Sequence, residues 1–456
     1  MKRHSYESQT KSSAGLQTTR IRGKGFLPIA LFNASLGILQ LGQVVILIQF
    51  GRSTDQNANP WQAAVILAAF LFSVLLMSWG LRPYTVQGLP FQGFIILITI
   101  SGLLGMASSG MFEYAGLLFF AILVLRNYIC FWGIPGSLPA TRGLAQRTVL
   151  TWTLIATTYV AVGSVQASFR EGLSLESVNR LGASATWLNP NTTGLYCAFG
   201  ALICLIAGFL PGWIRLAVGA LSLYCLLLSQ SRTAIIALVA SSATSLALTR
   251  QRRRLVIVIA ALIICTGVGV SDSLVEATMS YPIVSATIAR FTAAQEDTRK
   301  TARLEVLQNG LTLWESAPAL GVGYGRSDTH FENGYLSIAC ESGALGLMVY
   351  LLFLGMLIRR ARILANGYGP EATELGRWVI AIVVFLSVHA VGERSHLFQL
   401  ASPVSSCGAL LASLAFRVAD PKRRIIINRV LMATLPRSYD PPLAGARAVS
   451  SFVHRS

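Results

Sequence analysis

The chain has few charged residues for its length. Only 12% of its 456 residues are Asp, Glu, Lys or Arg, whereas 53% are hydrophobic and the mean hydropathy is +0.59. A soluble domain would show short amphipathic periods and roughly 25% charged residues. This shortage of charge argues against a soluble protein and predicts that most of the chain is surrounded by lipid.

The chain also lacks the motifs of nucleotide- and metal-dependent enzymes. No Gly-x-x-x-x-Gly-Lys sequence occurs, so no P-loop nucleotide site is predicted. The seven cysteines and five histidines have no metal-ligand spacing, and we expect no metal, no cofactor and no disulfide. The acidic pair Glu296 and Asp297 could hold Mg²⁺, but we interpret it as a solvated loop face.

Long apolar stretches take the place of these motifs, about twelve in all. A spanning helix needs roughly 17–25 mostly apolar residues, and most of the stretches qualify. They lie near residues 27–50, 62–79, 91–107, 111–129, 148–167, 187–210, 213–229, 233–249, 255–271, 334–357, 378–391 and 397–416. The pattern predicts an all-α, polytopic transmembrane bundle with one long outer loop containing short helices.

These spans divide the chain into five segments. We expect a basic tail at 1–26, transmembrane helices 1–9 at 27–271, a long outer loop at 272–333, transmembrane helices 10–12 at 334–417, and a basic tail at 418–456. With both termini cytoplasmic, most Lys and Arg residues fall on the inner side, as the positive-inside rule requires. A pI near 10.1 is also typical of nucleic-acid-binding proteins. Because the basic residues sit at helix ends, we expect contacts with membrane lipids and no nucleic-acid partner.

The long outer loop contains its own helical pattern. Leu304, Leu307, Leu311 and Trp314 recur at i, i+3, i+7 and i+10, which predicts an apolar stripe lying on the membrane surface or over a cavity. Pro318 is expected to end that helix before the glycine-rich turn at 321–325.

Arginines and asparagines mark the outer ends of the predicted spans. Arg232 lies in a tight turn between two apolar helices, Arg180 precedes a span, and Arg303 lies on the long loop. Arginine binds phosphate oxygens bidentately and stays charged, so this set suits a phosphate-bearing lipid headgroup. For Arg232, an interfacial anchor that reaches the headgroups is the alternative. Asn191 follows Pro190 at the mouth of a span, where Asn-Pro is also a common turn signal.

The densest polar stretch precedes the tenth span. It contains His330, Glu332 and Asn333, and it leads to Glu341 inside the span. His330 or a carboxylate could take a proton from an attacking hydroxyl, although a lone loop histidine is often an exposed bystander. Glu341 enters hydrocarbon, where a carboxylate should face the bundle interior and pair with arginine or backbone. A further cluster of ionisable residues lies at 392–396.

In this order, these motifs resemble the O-antigen ligase and O-antigen polymerase family of bacterial envelope glycosyltransferases. The matching pieces are Arg180 with Trp187-Leu-Asn-Pro-Asn191, Leu228-Ser-Gln-Ser-Arg232, Arg303 ahead of Pro318-Ala-Leu-Gly-Val-Gly-Tyr-Gly325, and Glu332-Asn-Gly-Tyr-Leu-Ser-Ile-Ala-Cys-Glu-Ser-Gly343. The similarity covers about residues 180–350. Outside it, the flanking helices match only in number and hydropathy.

The resemblance implies a reaction and a location. Members transfer a glycan from undecaprenyl pyrophosphate to an acceptor glycan or glycolipid at the periplasmic face of the inner membrane, without metal. By position, Arg232 and Arg303 would bind the pyrophosphate with Arg180 assisting, and Asn333, Glu341 and Asn191 would position the site. Ligases have histidine where this chain has Glu332, with His330 two residues earlier. This difference favours a polymerase with Glu332 or His330 as the base.

Three alternatives stay open at this point. A ligase would transfer the glycan to a lipid A core instead of to the next repeat unit. A lipid-linked glycan transporter or flippase would show internal repeats, interrupted helices and charges reachable from both faces. The sequence shows no repeat between halves, and its intramembrane charges lie toward the outer side. A structural membrane subunit would use the same polar loops merely as anchors.

Overall fold

The computed structural model describes residues 26–45, 64–71, 74, 89–108, 114–133, 142–170, 188–248, 298–324, 333–366, 369–395, 397 and 402–417. All regular structure in these ranges is helical. The elements are α1 (Phe26–Gly37), π1 (Ile38–Gly42), α2 (Leu89–Ser108), α3 (Tyr114–Tyr128), π2 (Ile129–Gly133), α4 (Arg142–Arg170), α5 (Pro190–Ile206), α6 (Gly212–Ser229), α7 (Arg232–Leu248), α8 (Thr298–Ser316), α9 (Gly334–Ala365), α10 (Pro370–Gly392) and α11 (Pro403–Arg417).

Several of these helices match membrane spans in length and composition. Within the described ranges, four are long and apolar enough to cross a bilayer: Ala145–Arg170, Gly212–Ser229, Gly334–Ala365 and Pro370–Gly392. Shorter apolar helices cover Ala30–Val45, Ile96–Ala107, Phe120–Phe131, Pro190–Ile206, Arg232–Leu248 and Pro403–Phe416. The all-helical, multi-pass architecture is confirmed. The span count, the segment boundaries and the inside orientation of the termini stay predictions, and the stretch 255–271 lies outside the described residues.

The distribution of apolar side chains fits a bundle surrounded by lipid. Large apolar residues such as Trp213 and Leu216 are exposed, which in water would be costly. The interior is filled by aromatic and aliphatic side chains, among them Phe199 and Phe385, whose ring centroids lie 5.3 Å apart in an edge-on arrangement. Each of the cysteines in the described part of the chain is buried and free, as the sequence predicts, and Cys265 lies outside that part.

Helix α9 is interrupted at Gly343, a feature that the sequence analysis did not predict. Gly343 has φ 68° and ψ −176°, outside the helical region. The loop 317–324 that follows α8 replaces the helical hydrogen bonds lost at this break. Its bonds are Val322 N–H to Cys340 O (2.7 Å), Gly323 N–H to Glu341 O (3.1 Å), Ala344 N–H to Pro318 O (2.8 Å) and Leu345 N–H to Ala319 O (3.3 Å). The backbone at the break is therefore satisfied inside the protein, as the bilayer requires.

Helix α2 contacts both the break in α9 and the loop 317–324. Ser101 Oγ donates to the Ser342 carbonyl at 2.6 Å, and the Tyr324 hydroxyl donates to the Ile98 carbonyl at 3.0 Å. Gly105 allows the close approach, because a Cβ there would lie 2.7 Å from the Leu320 carbonyl oxygen. Burial, and secondarily the charge of Glu341, raises the pKa of the Tyr324 phenol. The hydroxyl therefore stays protonated and remains a donor.

Helix α8 confirms the helix predicted in the long loop. It spans Thr298–Ser316 and ends two residues before Pro318, and Leu307 and Leu311 on its stripe are exposed. Cys340 Sγ lies 3.2 Å from the Gly310 carbonyl, so the middle of α8 is attached to α9 just before the break.

We expect Gly343→Ala to destabilise the protein by about 3 kcal/mol or more. A non-glycine residue at this φ costs roughly 1–3 kcal/mol, and the added Cβ would also overlap the Ala319 carbonyl. The measurement is the midpoint of thermal unfolding in lipid nanodiscs. Gly355→Ala is the matched control in the same helix, because no atom lies within 4 Å of its added Cβ. Equal midpoints for the two variants would contradict the assigned role of the break.

Candidate functional site

Asn333 joins the start of α9 to the end of α10. Its Oδ1 accepts hydrogen bonds from the backbone N–H groups of Tyr335 (3.0 Å) and Leu336 (2.9 Å), which makes it the N-cap of α9. Its Nδ2 donates to the Val391 carbonyl at 2.9 Å. One side chain therefore satisfies three backbone groups and fixes the chain immediately after Glu332.

Glu341 and Arg394 form a buried ion pair two helical turns below this cap. The Arg394 Nη2 group donates to Glu341 Oε1, and the exposed fractions of the two side chains are 17% and 4%. A carboxylate this deep in the bundle needs such a partner. The expectation that Glu341 faces the interior and pairs with arginine is confirmed.

Asn191 connects the start of α5 to the same segment. Asn189 caps α5 by accepting from the Asn191 N–H at 2.9 Å, and Pro190 occupies the first helical turn. The Asn191 Nδ2 group donates to Glu393 Oε1. The interpretation of Asn-Pro as a local turn signal is thus correct for Asn189. Asn191 in addition makes a tertiary contact with a carboxylate.

Arg232 lies at the start of α7, beside the end of α10. Gln230, two residues earlier, has a positive φ of 49° and ends α6, and α7 then packs on α10 and α5. Thr233 packs so closely on Gly392 that a Cβ at residue 392 would overlap its methyl group. The Arg232 side chain is half-buried at this position.

Residues 391–394, which we call the α10 end, contact all of the elements described above. Each of these four consecutive residues contacts a different partner element or residue. The contacts are Val391 with Asn333, Gly392 with Thr233, Glu393 with Asn191 and Arg394 with Glu341. The starts of α5, α7 and α9 therefore converge on the α10 end, which brings together four of the residues predicted from sequence.

The other predicted site residues are less fully described. Arg303 lies on α8, seven residues before Gly310, and nothing is described of its side chain. Arg180, His330 and Glu332 lie outside the described residues. Their roles stay predictions.

Sequence reasoning gave no role to Glu393 and Arg394. The signal for them was the cluster of ionisable residues at the last outer turn, whose partners lie 202 and 53 positions away. His389, also unassigned, is buried below them. Its Nδ1 lies 2.5 Å from Ser395 Oγ, and its ring stacks on Phe385. The contact with Ser395 links the last turn of α10 to the residues that follow it.

The described site combines two arginines, Arg232 and Arg394, with two carboxylates, Glu341 and Glu393. Arg394 is paired with Glu341. Arg232 is half-buried and lies at the edge of the site. Amide and carboxylate groups beside a guanidinium can bind phosphate oxygens and sugar hydroxyls. Across the described ranges, no group of three His, Cys, Asp or Glu side chains could hold a metal ion.

Asn333→Ala should lower the free energy of unfolding by about 1–2 kcal/mol, because an N-cap and the bond to Val391 are lost together. Asn333→Asp keeps the cap oxygens and loses only the donor to Val391, so we expect about half that effect. Thermal unfolding midpoints of the three proteins in nanodiscs provide the measurement. If Asn333→Asp is as unstable as Asn333→Ala, the loss of stability comes from the hydrogen bond to Val391 alone and not from the N-cap.

Residues 217–351 match the family model described as O-Antigen ligase. The match contains Arg232, Arg303, Asn333 and Glu341, and it ends before the α10 end. The chain carries an O-antigen ligase domain. This confirms the resemblance over residues 217–351, and the helical architecture makes the chain a multi-pass membrane protein.

A distant relative extends the similarity beyond that domain. The chain is 23% identical to the exopolysaccharide production protein ExoQ of Rhizobium meliloti (strain 1021) over 422 residues, which covers 82% of this chain and 91% of the relative. The similarity thus includes the O-antigen ligase domain and much of the flanking helical sequence.

Proposed function

We propose that this protein is a membrane glycosyltransferase that moves an oligosaccharide from undecaprenyl pyrophosphate to an acceptor sugar at the periplasmic face, without a metal ion. The O-antigen ligase domain implies glycosyl transfer. The observation that supports the proposal most is the convergence of Asn333, the Glu341–Arg394 pair and the start of α7, which carries Arg232, on the α10 end. Arg232, Asn333 and Glu341 lie within the O-antigen ligase domain.

The proposed step is a substitution at the anomeric carbon of the donor sugar. The acceptor hydroxyl oxygen forms a bond to that carbon while the bond from the carbon to the pyrophosphate oxygen breaks. The electron pair leaves with undecaprenyl pyrophosphate, and the hydroxyl proton passes to Glu332 or His330. Arg232 and Arg303, assisted by Arg180, stabilise the charge that develops on the leaving group.

The other residues of the site position this machinery and do not react. Asn333 fixes the backbone next to Glu332, and the pair of Glu341 and Arg394 fixes the α10 end against α9. Asn191 holds α5 to the same segment through Glu393. Such support matters because a displacement of about 1 Å at a reacting group can cost about 100-fold in rate.

The choice between polymerase and ligase rests on the acceptor. A polymerase is favoured by Glu332 at the position where ligases of the family have histidine, and by the relative named for exopolysaccharide production. The description of the matched family as O-antigen ligase favours transfer to a lipid A core as the second candidate. Both reactions use the same donor and the same arginines.

A transporter is the candidate from a different class, and the interrupted helix α9 is its supporting observation. In transporters, the carbonyls freed at such breaks bind ions or substrate. Here the carbonyls of Cys340 and Glu341 accept hydrogen bonds from Val322 and Gly323 instead. The break therefore serves to seat the loop 317–324, which favours the enzyme.

The deciding experiment supplies purified protein in nanodiscs with an undecaprenyl-pyrophosphate oligosaccharide from its host, without nucleotide sugar, and sizes the products on a gel. A ladder of lengthened lipid-linked chains would establish a polymerase. A single shifted band that appears only after lipid A core is added would establish a ligase. Unchanged verified substrate in both reactions would overturn the proposal and place the transporter first.

A further inference from the structure

His389, in the last turn of α10, is buried together with Ser395 beside the α10 end. Each of the two side chains is 1% exposed. His389 Nδ1 and Ser395 Oγ lie 2.5 Å apart and form a hydrogen bond across six positions of the chain. The other ring nitrogen is buried and has no hydrogen-bond partner among the described residues. Ser395 is therefore the hydrogen-bond partner that the described part of the chain provides for this imidazole.

The backbone turns sharply after α10. Glu393 follows the helix directly and is extended, with φ −152° and ψ 155°. The Ser395 N–H then donates to the Glu393 carbonyl at 2.8 Å, which makes a tight turn centred on Arg394. The hydrogen bond between His389 and Ser395 joins this turn to the last turn of α10.

The loop closed by this bond contains both charged residues of the α10 end. Arg394 donates to Glu341 in α9, and Glu393 accepts from Asn191 in α5. Residues inside a closed loop have fewer conformations available than residues in an open segment. Loss of the closure should therefore let both charged side chains move relative to α5 and α9.

Aromatic packing orients the imidazole ring. The ring stacks on Phe385, with the ring centroids 6.1 Å apart and an angle of 13° between the planes. Phe385 in turn packs edge-on against Phe199 of α5. The orientation of His389 thus depends on the contact between α10 and α5, the helix that also carries Asn191. Through His389, the position of Ser395 is related to that of α5.

The burial of this polar pair is costly. Removing an imidazole and a hydroxyl from water costs free energy that one hydrogen bond only partly returns, and polar residues inside a membrane bundle are usually functional. Apolar side chains would avoid that cost. Because both side chains are inaccessible, the pair does not contact a substrate. Any effect on a reaction passes through the residues that the pair holds.

We propose that the hydrogen bond between His389 and Ser395 positions Glu393 and Arg394 for glycan transfer. His389 and Ser395 are then positioning residues, and this role rests on the proposed function. The bond keeps the two charged groups on their partners in α5 and α9, so the starts of those helices keep their places at the site. A displacement of about 1 Å at a reacting group can cost about 100-fold in rate, so a small shift of this segment should slow transfer.

The test uses variants that remove or keep this hydrogen bond. Ser395→Ala removes the hydroxyl. His389→Leu and His389→Asn are nearly equal in shape and both lose the stacking on Phe385, but the asparagine amide keeps a polar atom at the position of Nδ1. Ser241→Ala is the control, because it removes a buried hydroxyl whose hydrogen bond stays within α7.

Two measurements are made on each full-length variant in nanodiscs. We expect Ser395→Ala and His389→Leu to lower kcat by about 10-fold or more with an unchanged KM for the lipid-linked donor, and His389→Asn to recover most of the loss. Hydrogen–deuterium exchange of the amides at 393–397 should be about 5-fold faster in the first two variants. A general loss of stability would instead accelerate exchange throughout α10. Ser241→Ala should match the wild type in both measurements.

Transfer by Ser395→Ala and His389→Leu at the wild-type rate overturns the proposal. So does a loss in His389→Asn equal to that in His389→Leu, which would trace the effect to the ring, or an equal loss in Ser241→Ala. Ser395→Ala gives the result if the histidine variants do not fold. If the wild type transfers no glycan, the proposed function fails and the exchange measurement decides. Faster exchange confined to 393–397 would then retain the positioning of this segment by the bond, and unchanged exchange would remove it.

Discussion

Arg232→Ala is expected to reduce glycan transfer by about 10²–10³-fold, the usual cost of removing one preorganised donor to a developing negative charge. The side chain is half-buried at the start of α7, directly before the residue that packs on Gly392. In the proposed reaction it binds the leaving pyrophosphate, whose charge grows as the bond breaks. The loss should therefore fall mainly on the turnover rate kcat.

Arg232→Lys separates charge from geometry. Lysine keeps the positive charge but lacks the planar fork that contacts two oxygens at once, so we expect an intermediate rate. Single-turnover transfer of a labelled lipid-linked oligosaccharide in nanodiscs measures both variants against the wild type. Unfolding midpoints recorded in parallel show whether either change affects the fold.

Arg215→Ala is the matched control on the adjoining helix α6. That guanidinium donates to the carbonyls of Cys204 (2.8 Å) and Leu205 (3.0 Å) at the end of α5. Loss of this side chain should lower the stability slightly and should change the rate of glycan transfer little. Near-normal transfer by Arg232→Ala would remove Arg232 from the mechanism. If Arg215→Ala loses as much transfer as Arg232→Ala, the loss comes from a general disturbance of the helices.

Breaking the Glu341–Arg394 pair should produce the largest loss of stability. Arg394→Leu leaves the Glu341 carboxylate buried without its cationic partner, at a cost of about 3–5 kcal/mol. Glu341→Leu should cost less, because Arg394 retains some exposure and can turn toward the surface. The double variant removes both charges and should recover most of the loss.

A double-mutant cycle measures this coupling. Unfolding midpoints and transfer rates of the wild type, both single variants and the double variant are determined under the same conditions. If stability recovers in the double variant while transfer stays low, the pair also positions the α10 end for catalysis. Additive losses would show that the two charges do not stabilise each other and would contradict the buried pair.

These two experiments report on different parts of the site. Arg232 is proposed to contact the donor, so its loss should leave folding intact. Glu341 and Arg394 contact each other, so their loss acts through the position of the α10 end. The reverse pattern is a loss of stability in the Arg232 variants and normal stability and transfer in the Glu341 and Arg394 variants. That result would favour the interpretation of Arg232 as an interfacial anchor.

Much of the architecture followed from the sequence because lipid imposes simple rules on it. A bilayer accepts helices of fixed apolar length, so hydropathy alone predicted helices that the structure places within a few residues, such as α6 and α7. Pro318 and the leucine stripe predicted α8 for the same local reason. The interruption of α9 was not predictable, since its hydrogen bonds come from a loop at 318–323 that is distant in space until the chain folds.

The sequence by itself determined that this is a helical membrane protein, and it predicted that the arginines, the asparagines and Glu341 lie at one side of the bundle, because residue type and spacing carry that information. Only the tertiary structure decided that four of these groups converge on the α10 end. The ion pair and the two hydrogen bonds that hold this arrangement join residues 53, 58 and 202 positions apart, and they depend on how the helices pack. No local pattern in the chain specifies that packing.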